Sequence, residues 1–343
     1  MNGRNEKIDV LRGWAIILVV FGHCMEYASG HEFFSVNGIY NNLIFKVIYS
    51  FHMPLFACIS GWLFGSTIEK YASFDIIRRK AESLIIPIAS WITLWMLLNA
   101  GLSIIRGNID FAAWVKGWFG MFLTNFWFLW AIFVCMLLVV VVHHFFGDNI
   151  GIYLLSIAGM LVIPDSEVFA GGGAGTKFLY PFFVSVYLMR IHKVDLAEKV
   201  YRYKVIICIA FIVLLGLYQF DTYIYVSGFD IYGNLSWVQY IGYDLQRYGI
   251  GCAGSAIMLL VVWKFYRQNL IHKIISAIGR ESIGIYILSS KIISGVCYSV
   301  FKAERVNYIL DIILTVGILV ICHAAIYIIK KVPLANKMLL GGI

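Results

Sequence analysis

The stretch LRGWAIILVVFGHCM, residues 11–25, is an apolar segment with an arginine near its start, Arg12, and a histidine near its end, His23. A helix turns by about 100° per residue, so a step of eleven residues returns to within roughly 20° of its starting direction. Both side chains therefore leave one helix face, about 16 Å apart along the axis. An ionisable group at bilayer depth costs on the order of 3 kcal/mol or more and usually faces protein or a wet cavity. The stretch predicts a transmembrane helix with one polar face, and His23 is its first candidate functional residue.

The rest of the chain has the composition of a membrane protein. Of its 343 residues, 61% are hydrophobic and only 13% are charged, and the mean hydropathy is +0.83. Apolar runs recur from end to end, far more densely than in a soluble domain. No A-x-A type cleavage site accompanies residues 11–25, so we expect this segment to be retained. The composition predicts an all-α, polytopic integral membrane protein.

About ten apolar segments approach the roughly 20 residues that a helix needs to cross a bilayer. Several are short, and a count of nine or eleven fits the pattern as well. We expect a single transmembrane domain over residues 1–343, with no appended soluble domain. The segments are residues 11–25, 43–64, 84–105, 126–142, 150–163, 178–189, 205–220, 249–263, 283–300 and 306–329.

Lysines and arginines orient these segments. If the N-terminus is cytoplasmic, the cytoplasmic connections hold 18 of the 27 lysines and arginines and the opposite connections hold 7. The positive-inside rule therefore predicts that both termini are cytoplasmic. The same asymmetry accounts for the net charge of +8, so we expect anionic membrane lipids as partners and no nucleic acid.

The seven cysteines form no C-x-x-C pair and lie within or at the ends of the predicted helices. They are typical of small buried hydrophobic residues, so we expect neither a disulfide framework nor a metal site. Cys24 follows His23 directly, but neighbours on a helix diverge by about 100°. That divergence disfavours a Cys-His catalytic pair, which needs hydrogen-bond contact.

His23 suits general base catalysis. Imidazole has an unperturbed pKa near 6.5 and can take a proton from a poorly nucleophilic hydroxyl, which is worth roughly 10² to 10⁴ in rate. Glu26 lies one turn further on, about 60° away around the helix, and can hydrogen-bond the ring and fix its tautomer. The alternative for His23 is a structural histidine that bridges two helices. The alternative for Glu26 is a solvated acid at the membrane surface.

Arg12 carries a permanent charge on a planar fork that binds phosphate or carboxylate in bidentate fashion. Near the cytoplasmic end of its helix, it would hold a phosphate group or pair with Asp9, three residues earlier on nearly the same face. The cluster Arg78, Arg79 and Lys80 would attract phosphates from the cytoplasm, or would serve only as a topology anchor.

His52 and Pro54 lie near the middle of residues 43–64. Proline removes a backbone hydrogen bond and clashes with the preceding turn, so we expect a kinked or broken helix there. A broken helix at mid-depth often lines a cavity, which makes His52 and Ser60 candidates to support a substrate site. For His52 the alternative is a simple packing kink. Trp127 either lines the same cavity or belongs to the interfacial aromatic belt.

Several motifs resemble those of the membrane acyltransferase family 3. IDVLRG at residues 8–13, with GH at 22–23, resembles its first signature, an arginine and a histidine separated by ten residues. FHMPLF at 51–56 with SGWLF at 60–64 resembles its second signature. Weaker similarities are WFL at 127–129, YPFF at 180–183 and IGRESIGIY at 278–286. In order, they cover most of the chain.

The resemblance implies transfer of an acyl group, commonly acetyl from acetyl-CoA, to a hydroxyl of a surface polysaccharide, an oligosaccharide or a lipid-linked sugar. Acyl-CoA would be a donor substrate, and no bound cofactor is implied. His23 would be the general base, and Arg12 would bind the CoA pyrophosphate or shape the site. The basic cluster at residues 78–80 would attract CoA phosphates. The resemblance also implies a multi-pass protein of the plasma membrane, the cytoplasmic membrane of a bacterium.

Two alternatives remain open. A transporter or flippase of a glycan or lipid also uses intramembrane histidine and arginine, and acyl-CoA consumption would distinguish the two classes. No inverted repeat of the kind common in transporters is evident. His143 and Asp148 form an H-x4-D pair similar to that of glycerolipid acyltransferases, a pattern short enough to arise by chance.

Overall fold

The computed structural model describes residues 5–28, 42–105, 111–162, 173–217, 237–297 and 306–342, and its regular elements in these ranges are helices. Two π-helical turns occur: Ala81–Ile85 joins α3 to α4, and Ile293–Cys297 continues α13. The α-helices are α1 (Glu6–Ala28), α2 (Leu43–Ile68), α3 (Ser73–Lys80), α4 (Ile86–Ile105), α5 (Phe111–Thr124), α6 (Trp127–Phe146), α7 (Ile150–Val162), α8 (Gly173–Ile191), α9 (Leu196–Arg202), α10 (Lys204–Gly216), α11 (Trp237–Phe265), α12 (Leu270–Arg280), α13 (Ser282–Ile292), α14 (Tyr308–Lys330) and α15 (Pro333–Leu340).

Several helices begin at an asparagine or aspartate that satisfies the free backbone N–H groups of the first turn. Asn42 accepts hydrogen bonds from the backbone N–H groups of Ile44 and Phe45 at 3.0 and 3.1 Å. Asn269 accepts one from His272 at 2.9 Å. The same role at α1, α7, α9 and α14 belongs to Asn5, Asn149, Asp195 and Asn307. These helix starts are therefore set by local side chains.

Six helices among the described residues are long and apolar enough to cross a membrane. They contain the predicted segments 11–25, 43–64, 84–105, 126–142, 249–263 and 306–329, in whole or in large part. The other four predicted segments are also helical where the structure describes them, but they are too short or too polar for that standard. The all-helical architecture is confirmed. The count of about ten spans and the cytoplasmic placement of both termini stay predictions.

Helices α10 and α14 expose rows of large apolar side chains. On α14 the exposed set includes Ile309, Ile313, Val316 and Val320. The opposite face is buried, and its members are Asp311, Thr315, Ile318, Cys322 and Ile326. Water would disfavour so extended an apolar surface, whereas lipid tails match it. The exposed rows agree with helices that face lipid.

The described helices group into two compact units. Unit 1 lies within Met1–Gly65, Pro181–Ile224 and Leu235–Ile328, and unit 2 within Ser66–Tyr180, Tyr225–Asn234 and Ile329–Ile343. In unit 1, α1 packs along α12 and also contacts α11 and α13. In unit 2, α15 packs on α4, where the Trp91 indole donates to the Leu339 carbonyl at 2.8 Å. The single transmembrane domain stays a prediction.

The crossing of α1 and α12 brings two backbones into direct contact. A Cβ added to Gly13 would lie 2.1 Å from the Ile275 carbonyl oxygen, and one added to Gly279 would lie 1.8 Å from that of Asp9. Because backbone atoms cannot move aside as a flexible side chain can, both positions require glycine for this approach. The two glycines belong to the motifs at residues 8–13 and 278–286, so each motif encodes one side of the crossing.

Candidate functional site

Helices α1 and α2 place His23, Glu26 and Tyr49 together in unit 1. The Nδ1 atom of His23 lies 2.9 Å from Oε2 of Glu26, and the Tyr49 hydroxyl donates to the same oxygen at 3.1 Å. An ionised carboxylate only accepts hydrogen bonds, so Nδ1 carries the ring proton in this arrangement. That tautomer leaves the lone pair on Nε2, the atom that can take a proton in general base catalysis.

The imidazole of His23 is accessible, whereas the carboxylate of Glu26 is sheltered. The side chain of His23 is 35% exposed, and that of Glu26 is 12% exposed. Gly22 provides the space for Tyr49, because a Cβ at Gly22 would lie 2.6 Å from the tyrosine ring. Within the described residues, no three His, Cys, Asp or Glu side chains converge as a metal site requires. The Gly-His pair at residues 22–23 therefore supplies both the imidazole and the room for its neighbour.

Tyr49 is the member of this cluster that the sequence analysis missed. It stands three residues before His52 on α2, and the two rings meet edge to face with centroids 4.8 Å apart. An aromatic hydroxyl one turn before a candidate histidine was the available signal. The chain holds 21 tyrosines, however, and only the packing of α1 against α2 distinguishes this one.

His52 and Ser60, the other candidates on α2, occupy different places. His52 is buried beside Tyr49, and its Nδ1 atom donates to the Ile48 carbonyl at 2.8 Å. Ser60 is partly exposed and lies about 12 Å further along the helix axis. α2 runs through Pro54 without interruption, so the broken form of this helix is not observed. The structure brings His52, but not Ser60, next to the His23 cluster.

Arg12 is anchored to a different part of unit 1. It is half-buried, and its guanidinium donates to the Ser282 hydroxyl at 2.8 Å. Ser282 follows Glu281, whose buried carboxylate accepts from the His323 Nδ1 atom at 2.7 Å. Arg12 thereby links the first signature to the motif at residues 278–286. Asp9 is buried nearby on the same helix, and its pairing with Arg12 stays a prediction.

The basic cluster and Trp127 belong to unit 2. The Arg78 guanidinium donates to Glu82 at 3.1 Å, and Arg79 lies over the Tyr71 ring at 4.4 Å. Lys80 is the last residue of α3. The Trp127 ring packs on Gly175, where an added Cβ would lie 2.5 Å from it. The roles predicted for these residues in phosphate or substrate binding stay predictions.

Unit 1 also contains a cavity of about 610 Å³ among α1, α2, α8, α9 and α11, a size typical of small-molecule sites. Its wall runs from Arg190 to Phe182 on α8 and from Trp263 to Cys252 on α11, about 12 and 16 Å along the axes. Most of the lining is apolar. Arg190, Lys193 and Asp195 line one end, where two cations outnumber one carboxylate, so the cavity has a cationic end and an apolar interior.

The interior of this cavity also offers a hydrogen bond. Ser255 is 6% exposed, and its hydroxyl lies near the Cys58 thiol. Among the described residues, this hydroxyl has no partner at normal hydrogen-bond distance and angle. The Cys58 thiol itself points to the Phe182 carbonyl at 3.9 Å. A buried hydroxyl without a good partner lowers stability unless a ligand supplies one. Ser255 is therefore a ready contact for a polar group on an extended ligand.

Lys193 ends α8 in a left-handed conformation with φ of 54°. Its N–H bonds to the Arg190 carbonyl at 3.1 Å, and the N–H of Val194 bonds to the Met189 carbonyl at 2.8 Å. This is the Schellman arrangement, in which the left-handed residue is usually glycine. Another residue type there costs about 1 kcal/mol or more, and such strain is commonly retained at functional sites. A lysine kept in this conformation at the cavity's cationic end favours a role for its side chain.

Helix α2 runs from the His23 cluster to the cavity. Tyr49 and His52 lie in the cluster, and Leu55 follows His52 by one turn of the helix. Leu55, Ile59 and Trp62 line the cavity. Tyr49 and Leu55 are about 9 Å apart along the axis. The His23 cluster and the deep end of the cavity therefore follow each other along α2.

The chain is similar to known proteins over most of its length. A family model described as an acyltransferase domain matches residues 5–329. The nodulation protein NolL of Mesorhizobium japonicum is 28% identical over 228 residues, which cover 65% of this chain and 57% of that protein. NolL of Sinorhizobium fredii is 28% identical over 210 residues, which cover 59% and 53%. The chain thus spans little more than half the length of these curated relatives. No solved structure gives a significant match.

Proposed function

Because the chain belongs to the acyltransferase family whose model matches residues 5–329, we propose that it transfers an acyl group from acyl-CoA, above all acetyl-CoA, to a carbohydrate hydroxyl. The observation that carries this proposal is the hydrogen-bonded cluster of His23, Glu26 and Tyr49. It presents one imidazole nitrogen for proton transfer while the other is held by a sheltered carboxylate.

The cluster supports an acyl-transfer step in which His23 first takes up a proton and then returns it. The Nε2 atom of His23 takes the proton of the acceptor hydroxyl as the hydroxyl oxygen attacks the thioester carbon. The C–S bond then breaks, and the imidazolium returns the proton to the CoA thiolate, which leaves an ester and free CoA. Glu26 orients the ring and stabilises the imidazolium, as the carboxylate of a hydrolase triad does. Tyr49 holds Glu26 in place by its hydrogen bond.

The cavity of unit 1 suits the acyl-CoA donor. Pantetheine is a slender chain with amide groups, a thioester at one end and phosphate at the other. Arg190 and Lys193 supply positive charge for the phosphates, and Ser255 supplies a hydrogen bond for an amide. The cationic end lies on the side predicted to be cytoplasmic, where acyl-CoA is available. Further candidates for phosphate contacts are Arg12, Arg78, Arg79 and Lys80.

The acceptor would approach His23 from the opposite membrane surface. A surface polysaccharide, an oligosaccharide or a lipid-linked sugar would present its hydroxyl to the exposed side of the imidazole, which supports a carbohydrate outside the cavity as the second substrate. We place the protein in the plasma membrane, the cytoplasmic membrane of a bacterium. The bacterial origin of both NolL relatives supports that location.

The test uses purified protein in proteoliposomes with acetyl-CoA labelled in its acetyl group. We expect release of the CoA thiol that depends on a carbohydrate acceptor, with the label recovered on that carbohydrate as a base-labile ester. Absence of CoA release with every acceptor class would contradict the proposal. Glycan movement across the vesicle membrane without CoA release would instead favour a transporter or flippase.

A further inference from the structure

We propose that Phe182 sets the length of the acyl chain that this enzyme transfers and restricts it to short chains. This inference rests on the proposed function, because it assumes that the cavity of unit 1 holds acyl-CoA. Phe182 belongs to the YPFF motif at residues 180–183, which the proposed acyl-transfer step does not use.

Phe182 lies at the deep end of the cavity, opposite its cationic end. Among the lining residues of α8, it is the one farthest from Arg190 along the helix. On α2 and α11 the corresponding deep residues are Leu55 and Cys252. The deepest lining residues of all three helices therefore lie at the same end of the cavity.

The Phe182 ring is held firmly at this closure. It is 2% exposed, and its centroid lies 5.4 Å from that of Tyr248. A Cβ added to Gly251 would lie 2.7 Å from the Phe182 ring and 3.0 Å from the Pro54 ring, so both rings pack closely on this glycine. Protein interiors packed in this way yield little to an added group. The ring therefore forms a rigid wall.

This wall stands between the cavity and the base. Leu55 precedes the wall on α2, whereas His52 and Tyr49 follow it toward His23. The acyl group of a donor whose pantetheine fills the cavity would extend against Phe182 as its thioester approaches His23. Acetyl adds little bulk there, whereas each further methylene requires the ring to shift. An apolar pocket discriminates about 10- to 200-fold per methylene when such a contact is tight.

The experiment compares Phe182→Leu and Phe182→Ala with Met189→Ala. Met189 also lines the cavity, two turns nearer the cationic end on the same face of α8, so its truncation removes volume away from the wall. Initial rates of CoA release are measured with acetyl-, butyryl- and hexanoyl-CoA and one acceptor. We expect the wild type to prefer acetyl-CoA. The ratio of hexanoyl to acetyl transfer should rise about tenfold or more in Phe182→Ala, less in Phe182→Leu, and stay constant in Met189→Ala.

Several results would overturn the inference. They are equal use of hexanoyl- and acetyl-CoA by the wild type, an unchanged ratio in an active Phe182→Leu variant, and an equal rise of the ratio in Met189→Ala. Thermal unfolding of each variant shows whether Phe182→Ala still folds. If it does not, the milder change Phe182→Leu still allows the comparison with the wild type. If the wild type releases no CoA from any donor, the proposed function fails, and this inference fails with it.

Discussion

Two histidine–carboxylate pairs in this molecule have the same N···O distance but different surroundings. The Nδ1 atom of His23 lies 2.9 Å from Glu26 in unit 1, and that of His143 lies 2.9 Å from Asp148 in unit 2. The first pair sits within one helix, and Tyr49 from α2 donates to the same carboxylate. The second pair joins the last turn of α6 to the residues that follow it, and both of its side chains are 32% exposed.

A short histidine–carboxylate contact by itself therefore does not define a site. A histidine in the last turn of a helix is stabilised by the helix dipole and the terminal carbonyls, which accounts for His143 without any reaction. Asp148 is as exposed as its partner, so water competes for its hydrogen bonds. Glu26 is sheltered and shared with Tyr49, so it can hold His23 in one tautomer and one orientation.

His23→Ala should lower kcat for acyl transfer by about 10² to 10⁴, because the proton acceptor is lost while little core volume is removed. His143→Ala should stay within about twofold of the wild type, as surface substitutions usually do. Acceptor-dependent CoA release measures both, beside thermal unfolding. Near-normal turnover of His23→Ala would exclude it as the base, and loss of folding would make it a structural residue.

Glu26→Gln should lower kcat by about tenfold to a thousandfold. The glutamine amide can donate to Nδ1 of His23, which moves the ring proton to Nε2 and removes the lone pair that the reaction needs. Asp148→Asn should leave the rate unchanged. Steady-state kinetics with varied acetyl-CoA provide the measurement. An effect confined to KM, with kcat intact, would be inconsistent with a role through the imidazole.

Tyr49→Phe should reduce kcat by about two- to tenfold, less than the roughly 1.5–3 kcal/mol of a hydrogen bond to a charged group would give, because Tyr49 acts on the imidazole only through Glu26. Tyr27→Phe is the matched control, because the Tyr27 ring lies on α1 with its centroid 6.3 Å from that of His23. Its rate should equal that of the wild type. Equal losses in both variants would show that Tyr49 acts through general packing.

Lys193→Gly should raise the KM for acetyl-CoA by a few-fold, since about 1 kcal/mol of phosphate attraction changes binding roughly fivefold. The same change should raise the free energy of unfolding by up to about 1 kcal/mol, because glycine adopts the left-handed conformation without strain. Lys199→Ala removes a neighbouring cation from α9 as the control. Greater stability with an unchanged KM would dismiss a donor contact at Lys193.

The α1 region shows how far the sequence alone could go. The sequence predicts Arg12 and His23 on one face, with Glu26 about 60° from His23 and within reach of its ring, because helix geometry fixes such relations between residues of one segment. The ten apolar segments are helical where described, since a backbone in lipid must satisfy its own hydrogen bonds. Helix α5 (Phe111–Thr124) was not among those segments, because it is shorter than a span and follows another apolar run closely.

Contacts between helices do not follow from geometry within one segment. The sequence determined the helical class, the apolar character and the local order of polar groups along α1, all of which depend on short-range geometry and on transfer from water to lipid. Only the tertiary structure decided that Tyr49 meets Glu26, that Arg12 meets Ser282 and that a cavity ends at Phe182. The physical reason is that apolar helix faces are chemically alike in lipid, so neighbours are selected by close packing at small residues such as Gly13, Gly22 and Gly279.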